Sequence, residues 1–301
     1  KIGNLDEISL DSDTIGIMFQ YPNTRGDIKI PFDLIKEAEK NKSVISCSTD
    51  LMALTKYISP GEIGVDIAYG TAQRFGVPMY CGGPHAAFLA CKNDYLRLMP
   101  GRIVGKTIDQ NNDPCYRLAL QSREQHIRKD KAISNICTAQ ALLANISSLY
   151  GIYHGNKGLL KIGNQIYEHT KKLKENLEYY NLKIINQDFF DTITIESTES
   201  KNIYLDLKNN GYVSFFNQQE PNYLSLSLDE STNEEDIEKI LNIFKNYQSD
   251  NYIKDINNNI NKDLKRKIPY LKNNIFHKKW NETDFTRYVY NLNQKDYTLC
   301  E

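Results

Sequence analysis

No run of apolar residues in this 301-residue chain approaches the roughly 18 to 20 that a membrane-crossing helix needs. No membrane partner is therefore expected. There is no surplus of one charge either: 37 Lys and Arg stand against 38 Asp and Glu, and the net charge of −1 offers no basic field to a nucleic-acid backbone. The six cysteines, Cys47, Cys81, Cys91, Cys115, Cys137 and Cys300, form no Cys-x-x-Cys pair. They read as reduced, intracellular thiols. His85, His126, His154, His169 and His277 show no ligand spacing with them, so no metal site is expected. An initiator methionine and a basic, apolar leader are also missing, so the chain reads as an internal piece whose targeting peptide lies outside it. Gly101 to Thr107 is one residue too short for a nucleotide phosphate loop, and a triphosphate site is rejected. The Asn-x-Ser/Thr matches at Asn41, Asn145 and Asn281 are expected by chance in an Asn-rich chain.

What is present is globular: 40% hydrophobic and 25% charged residues, in a length that suits a large domain with a smaller one. Thr14 to Gln20 is a short apolar run of the buried-strand kind, followed by the loop Tyr21-Pro22-Asn23-Thr24-Arg25-Gly26. Pro31 to Lys42 carries Phe32, Leu34, Ile35 and Ala38 at helical spacing, and Ser43 to Ser48 reads as the next strand. With further strands over Ile63 to Ala68 and Ala86 to Cys91, the fold class is α/β with a mostly parallel sheet.

Helical periodicity then runs from Asn135 to His154 and from about Leu159 to Leu177. Strands follow over Leu182 to Ile185, Thr192 to Ile195 and Tyr223 to Leu228. Thr232 and Glu235 read as a capping box for a helix ending near Tyr247. The expected organisation is part of a large α/β domain over 1–150, a small α+β domain over 151–248, a polar linker over 249–267 and the start of a further unit over 268–301.

Two segments carry distinctive residues. The first runs from Gly64 through Gln73-Arg74-Phe75-Gly76-Val77-Pro78 to Gly82-Gly83-Pro84-His85-Ala86-Ala87-Phe88. Its glycines allow tight turns and close approach by a cofactor or a neighbouring chain, although a Gly-rich connection between strands needs no ligand. His85 is expected to be packed and hydrogen-bonded rather than an acid or base. The second is Tyr116 to Gln140, in which five cations and His126 precede a helix start capped by Ser134 or Asn135. A capped helix start suits a phosphate, and it equally suits an ordinary helix behind a solvated basic loop.

Together, Gln-Arg-Phe-Gly-Val-Pro, Gly-Gly-Pro-His-Ala-Ala-Phe, Arg-Glu-Gln-His-Ile-Arg and Ser-Asn-Ile-Cys-Thr-Ala-Gln-Ala-Leu-Leu-Ala-Asn resemble the first half of the P-proteins of the glycine cleavage system. The likeness is dense from Thr14 past His154 and looser to Asp296. It implies the pyridoxal-phosphate-dependent transferase fold of the aspartate aminotransferase type. It also implies decarboxylation of glycine, with the aminomethyl group passed to the lipoyl arm of H-protein and pyridoxal 5'-phosphate as electron sink.

In such a fold the Phe75-Gly76-Val77-Pro78 anchor brings the Schiff-base lysine position opposite Gln73, and a glutamine forms no imine. The strand ending near Cys47 falls where the catalytic half has its aspartate. The resemblance therefore implies a degenerate copy of the site, with the lysine outside this chain and the catalytic residues supplied by a paired half. The chain alone is expected to be inactive. Ser134 and Asn135 are the candidates for a neighbouring cofactor's phosphate. Arg117, Arg123, His126 and Arg128 are candidates to line the channel or clamp a carboxylate, with interface ion pairs as the alternative. The implied partners are glycine, lipoylated H-protein and the catalytic half, in a homodimer or an α2β2 assembly. The implied compartment is the mitochondrial matrix, or the cytoplasm in a bacterium. A separate, non-catalytic interaction module is the rival reading.

Overall fold

The computed structural model describes residues 2–3, 8–120, 124–132, 139–248 and 261–295. β1 (Gly16–Tyr21), β2 (Val44–Thr49) and β3 (Ile67–Thr71) are parallel neighbours, and β4 (Ala87–Cys91) lies antiparallel against β3. Register sets Phe19 beside Cys47 and Tyr21 beside Thr49, so alternation puts these four on one face, where all are buried. α1 (Phe32–Lys40) connects β1 to β2 and turns Leu34, Ile35 and Ala38 inward, as the spacing predicts. The strand expected over Ile63 to Ala68 starts only at Ile67. Pro60 to Ile63 winds instead into a 3-10 turn, with a Ser59–Glu62 capping box before it and Gly64 at φ 94° after it.

Two features escaped the sequence pattern. β5 (Ile103–Ile108) and β6 (Pro114–Ala119) pair as an antiparallel hairpin, so the residues of the rejected phosphate loop are mostly strand. After it comes the one-turn helix α2 (Gln125–Arg128). The two expected helices of the middle make up α3 (Ala139–Tyr179), which is interrupted where they part, at Gly155 with the non-helical φ 60° and ψ −176°. A second sheet has the order β7 (Lys183–Ile184), β8 (Thr192–Glu196), β10 (Tyr223–Ser227), β9 (Phe215–Phe216), all antiparallel. α4 (Ser200–Asn209) packs on β9 and β10, and α5 (Glu234–Phe244) packs on α4 and α3. The capping box of α5 is Asn233 with Asp236, one residue beyond the expected pair, because the Thr232 hydroxyl is taken up in the turn around Asp229. α6 (Glu282–Asn293) completes the described chain.

One continuous core joins the two sheets, from Phe19 and Ile45 through Leu159 and Ile166 to Ile193, Leu224 and Phe244. Each such aliphatic or aromatic side chain contributes about 1.5–3 kcal/mol when fully buried. The Asn23 to Asp27 loop docks on the second sheet through Asn186, which is 2% exposed. Its Nδ2 donates to the Arg25 carbonyl at 2.8 Å and to Asp27 Oδ1 at 3.0 Å, while its Oδ1 accepts from the Thr194 amide at 2.6 Å. Asn186→Ala strands these buried groups, and urea unfolding is expected to show a loss of about 2 kcal/mol; a loss within error would mean that the loop is held elsewhere.

Residues 261–267, placed by composition in a linker, are in contact with the first sheet's connections. Leu264 is buried, its carbonyl accepts from the Ile58 amide at 2.8 Å, and Arg266 donates to the Leu54 carbonyl at 2.7 Å. The segment continues across α3, where Tyr270 donates its hydroxyl to the Asn156 carbonyl at 3.0 Å. No described helix is long and apolar enough to cross a membrane.

Candidate functional site

In an open sheet of this kind, ligands bind outside the carboxyl ends of the parallel strands. Three chain segments leave that edge here: Pro22 after β1, Asp50 after β2, and Ala72-Gln73-Arg74 after β3. The Arg74 guanidinium occupies the space between them. Its Nη1 bonds Asp50 Oδ2 at 2.6 Å and its Nη2 bonds Asp191 Oδ2 at 2.5 Å, the latter carboxylate lying just before β8 of the second sheet. The group also lies over the Phe190 ring, 5.8 Å from its centre. The side chains of Arg74, Asp50 and Asp191 are only 23%, 30% and 13% exposed. Burial weakens the guanidinium's charge, but the two carboxylates more than offset this and hold Arg74 above its ordinary value. Burial likewise pushes the Asp50 carboxyl up, against the pull of Arg74.

The Gln73 motif has a packing explanation. Ala72, Val77 and Ala86 form a small core with Leu143 of α3, and the Ser147 hydroxyl donates to the Ala72 carbonyl at 3.3 Å. Phe75 lies against Tyr150, with ring centres 5.5 Å apart, and Tyr150 against His154 at 4.3 Å. Gly76 has φ +77°, and a Cβ there would sit 2.9 Å from the Tyr150 ring, so only glycine lets the turn press on the helix. The Gly82-Gly83 turn differs: a Cβ at either glycine would meet nothing within 4 Å in this chain. Burial pushes the His154 imidazole down, favouring its neutral form. His85, expected to be packed, is exposed instead, because the loop carrying it runs outward from the sheet before Ala86 turns in.

The other candidates lie apart from this edge. Arg117 is exposed on β6, and His126 and Arg128 are exposed on α2. Arg123, Ser134 and Asn135 fall outside the described residues. The lysines nearest in sequence offer no substitute for Gln73: Lys92 bonds Asp66 at 2.8 Å at the opposite, amino end of β3, and Lys106 stands exposed on the hairpin. The residues present do not fit a covalently held pyridoxal phosphate at this edge. Gln73 has no amine, and the Asp50 carboxylate is engaged by Arg74. The Arg74 triad itself was missed from the sequence, although an aspartate directly after a buried strand and an arginine beside Gln73 were there to be read. Among the described residues no three His, Cys, Asp or Glu side chains gather as a metal site would require.

Comparison with known proteins places these features. The family model described as "Glycine cleavage system P-protein" matches residues 3–244. The mitochondrial glycine dehydrogenase (decarboxylating) of Gallus gallus is 42% identical over 292 residues, covering 95% of this chain and 29% of that protein. Its counterpart in Pelagibacter ubique is 42% identical over 306 residues, covering 99% and 31%. That of Solanum tuberosum, also mitochondrial, is 39% identical over 309 residues, covering 100% and 30%. The chain thus spans under a third of the length of these relatives. Among solved structures, an inhibitor-bound glycine decarboxylase (P-protein) superposes with a TM-score of 0.71 at 28% identity, covering 79% of this chain and 56% of that one. Aspartate aminotransferase from Thermus thermophilus, at 13% identity and a TM-score of 0.50 over 81% of this chain and 60% of that one, shares the fold alone. The α/β fold is that of the pyridoxal-phosphate-dependent aminotransferase type, and the chain belongs to the glycine cleavage system P-protein family.

Proposed function

We propose that this chain is the non-lysine part of a glycine-decarboxylating P-protein, and that it completes the active site of a lysine-bearing half without holding a cofactor of its own. The observation that carries the reading is the carboxyl edge of the first sheet, where Gln73 stands without an amine and Arg74 ties up Asp50 and Asp191. An edge closed by a half-buried ion triad has a structural task. The reaction is loss of carbon dioxide from glycine and transfer of the aminomethyl group to the lipoyl arm of H-protein. The cofactor, on the other half's lysine, supplies the electron sink.

In this reading Ser134 and Asn135 meet the cofactor's phosphate through a helix start, and Arg117, Arg123, His126 and Arg128 line the approach for the glycine carboxylate. The domain division is a large α/β part over 1–150, a small α+β part over 151–248, a connection over 249–267 and the beginning of the lysine-bearing half from 268. Pairing of halves makes the assembly a homodimer or α2β2. The compartment is the mitochondrial matrix, as the names of the chicken and potato relatives have it, or the cytoplasm for a bacterial source.

Absorbance with added pyridoxal phosphate tests this. The chain alone is expected to show no borohydride-sensitive aldimine band, and the band is expected when the lysine-bearing half is added. A site-specific band from the chain alone would assign the imine to one of its own lysines and overturn the reading. Failure of the chain to alter the other half's band or turnover would favour a non-catalytic module.

A further inference from the structure

Lys56 is half-buried, and its ammonium has no carboxylate to hold it. It follows the 3-10 turn Ala53–Thr55 after β2, and α3 presses so close on this turn that a Cβ at Gly163 would run into the Thr55 hydroxyl. The side chain lies along α3, where Nζ donates to Asn164 Oδ1 at 2.6 Å and stands 4.2 Å from the centre of the Tyr167 ring. Tyr167 is itself buried and stacked on Phe189, so this face of the amine is turned from water. Among the described residues Lys56 enters no ion pair, whereas Lys92, Lys174 and Lys183 each hold a carboxylate at 2.6 to 2.8 Å. Cations stand beside it instead. Tyr57 bridges to Lys265, and the Arg266 amide donates to the Lys56 carbonyl at 2.9 Å, so the 261–267 segment brings two charges of the same sign to this turn. Burial, joined by the Lys265 charge, pushes the amine below its ordinary value against the pull of Glu168.

We propose that Lys56 is a site of covalent acylation that takes its acyl group from an acyl phosphate. A lysine is a nucleophile only when neutral, and an amine held by a neutral amide oxygen and a ring face gives up its proton more readily than one locked in an ion pair. Lys265 and Arg266 at the same turn suit a donor whose leaving group is an anion. In the step, the Lys56 nitrogen attacks the carbonyl carbon and a C–N bond forms. The carbon–oxygen bond to phosphate breaks, phosphate leaves with the electron pair, and the surplus proton passes to water. The product is an uncharged amide, which ends the repulsion between Lys56 and Lys265 at the point where the 261–267 segment attaches.

Full-length P-protein treated with acetyl phosphate at neutral pH provides the test, with mass spectrometry following acetylation of Lys56 and of Lys201, an exposed lysine on α4, over time. Lys56 is expected to react about fivefold faster than Lys201, because more of its amine is neutral. Asn164→Asp sets a carboxylate against the amine from an exposed position of α3, and should bring Lys56 down to the rate of Lys201 without disturbing the core. An acetyl thioester of a small neutral thiol should favour Lys56 less than acetyl phosphate does, since it leaves no anion for Lys265 and Arg266 to meet. Lys56 reacting no faster than Lys201, or a rate unmoved by Asn164→Asp, overturns the proposal. An equal preference with the neutral thioester overturns the choice of donor.

Discussion

Arg74→Met is expected to lower the stability of the chain by about 3 kcal/mol, the lower end of the cost of breaking a buried ion pair. The lower end applies because Arg74 and Asp50 keep 23% and 30% exposure. The loss comes less from the missing bonds than from what they leave behind: Asp50 and Asp191 confined together without a cation. Urea unfolding reads it as a fall in midpoint with unchanged slope. Acid should relieve the deficit. Burial has raised the Asp50 carboxyl above its unfolded value, and removing Arg74 takes away the group that opposes the shift. A group raised on folding lends stability below its unfolded pKa and loses it as pH rises through the folded one, so the gap between variant and parent narrows as pH falls through the carboxylate range. Arg74→Lys should recover only part, since an ammonium cannot grip two carboxylates with a planar fork. A variant as stable as the parent at neutral pH would show that the triad bears no load between the sheets. Adding Gln73→Lys to Arg74→Met tests the other face of the argument: an amine and a freed Asp50 should together admit some aldimine where either change alone does not.

Gly155→Ala is expected to cost at least as much, with a local signature. The residue sits at φ 60° and ψ −176°, a conformation open essentially to glycine, where a side chain adds about 1–3 kcal/mol of strain. A Cβ there would also lie 2.1 Å from the Phe276 carbonyl oxygen, closer than any contact permits, so the 274–277 turn must leave or α3 must straighten. Either outcome disturbs the aromatic group that Tyr153 and His154 build with Trp280, Phe285 and Tyr288. Hydrogen exchange should show faster amides over 268–293, with protection retained in β8 and β10. Uniform loss across both sheets would mean that the bend belongs to the core instead of to the attachment of this last segment.

The Asn186 and Arg74 contacts bear on the same junction. One centres on the buried Asn186 amide at the Asn23 to Asp27 loop, the other on a partly exposed guanidinium at the strand ends. Both reach the second sheet near Thr192 and Thr194, so their effects should not simply add.

Local pattern determined much of this protein. Alternating and continuous apolar runs located β1, β2, β4, β8 and β10, helical spacing located α1, α5 and the bulk of α3, and the long motifs around Gln73 and Ser134 carried the family. These signals are local because they report which face of one element is buried, whatever it is buried against. The elements missed were those whose burial is small or whose pattern was read for something else: β5 behind a false phosphate loop and α4 on the flank of the second sheet. Tertiary structure alone decided the pairings. Arg74 meets Asp50 from 24 residues away and Asp191 from 117, and Tyr57 reaches the Phe189 carbonyl across 132. Nothing in the spacing of such residues marks them as neighbours, because their meeting depends on the path of every element between them, and a carboxylate reads the same in sequence whether it ends beside a guanidinium or in water.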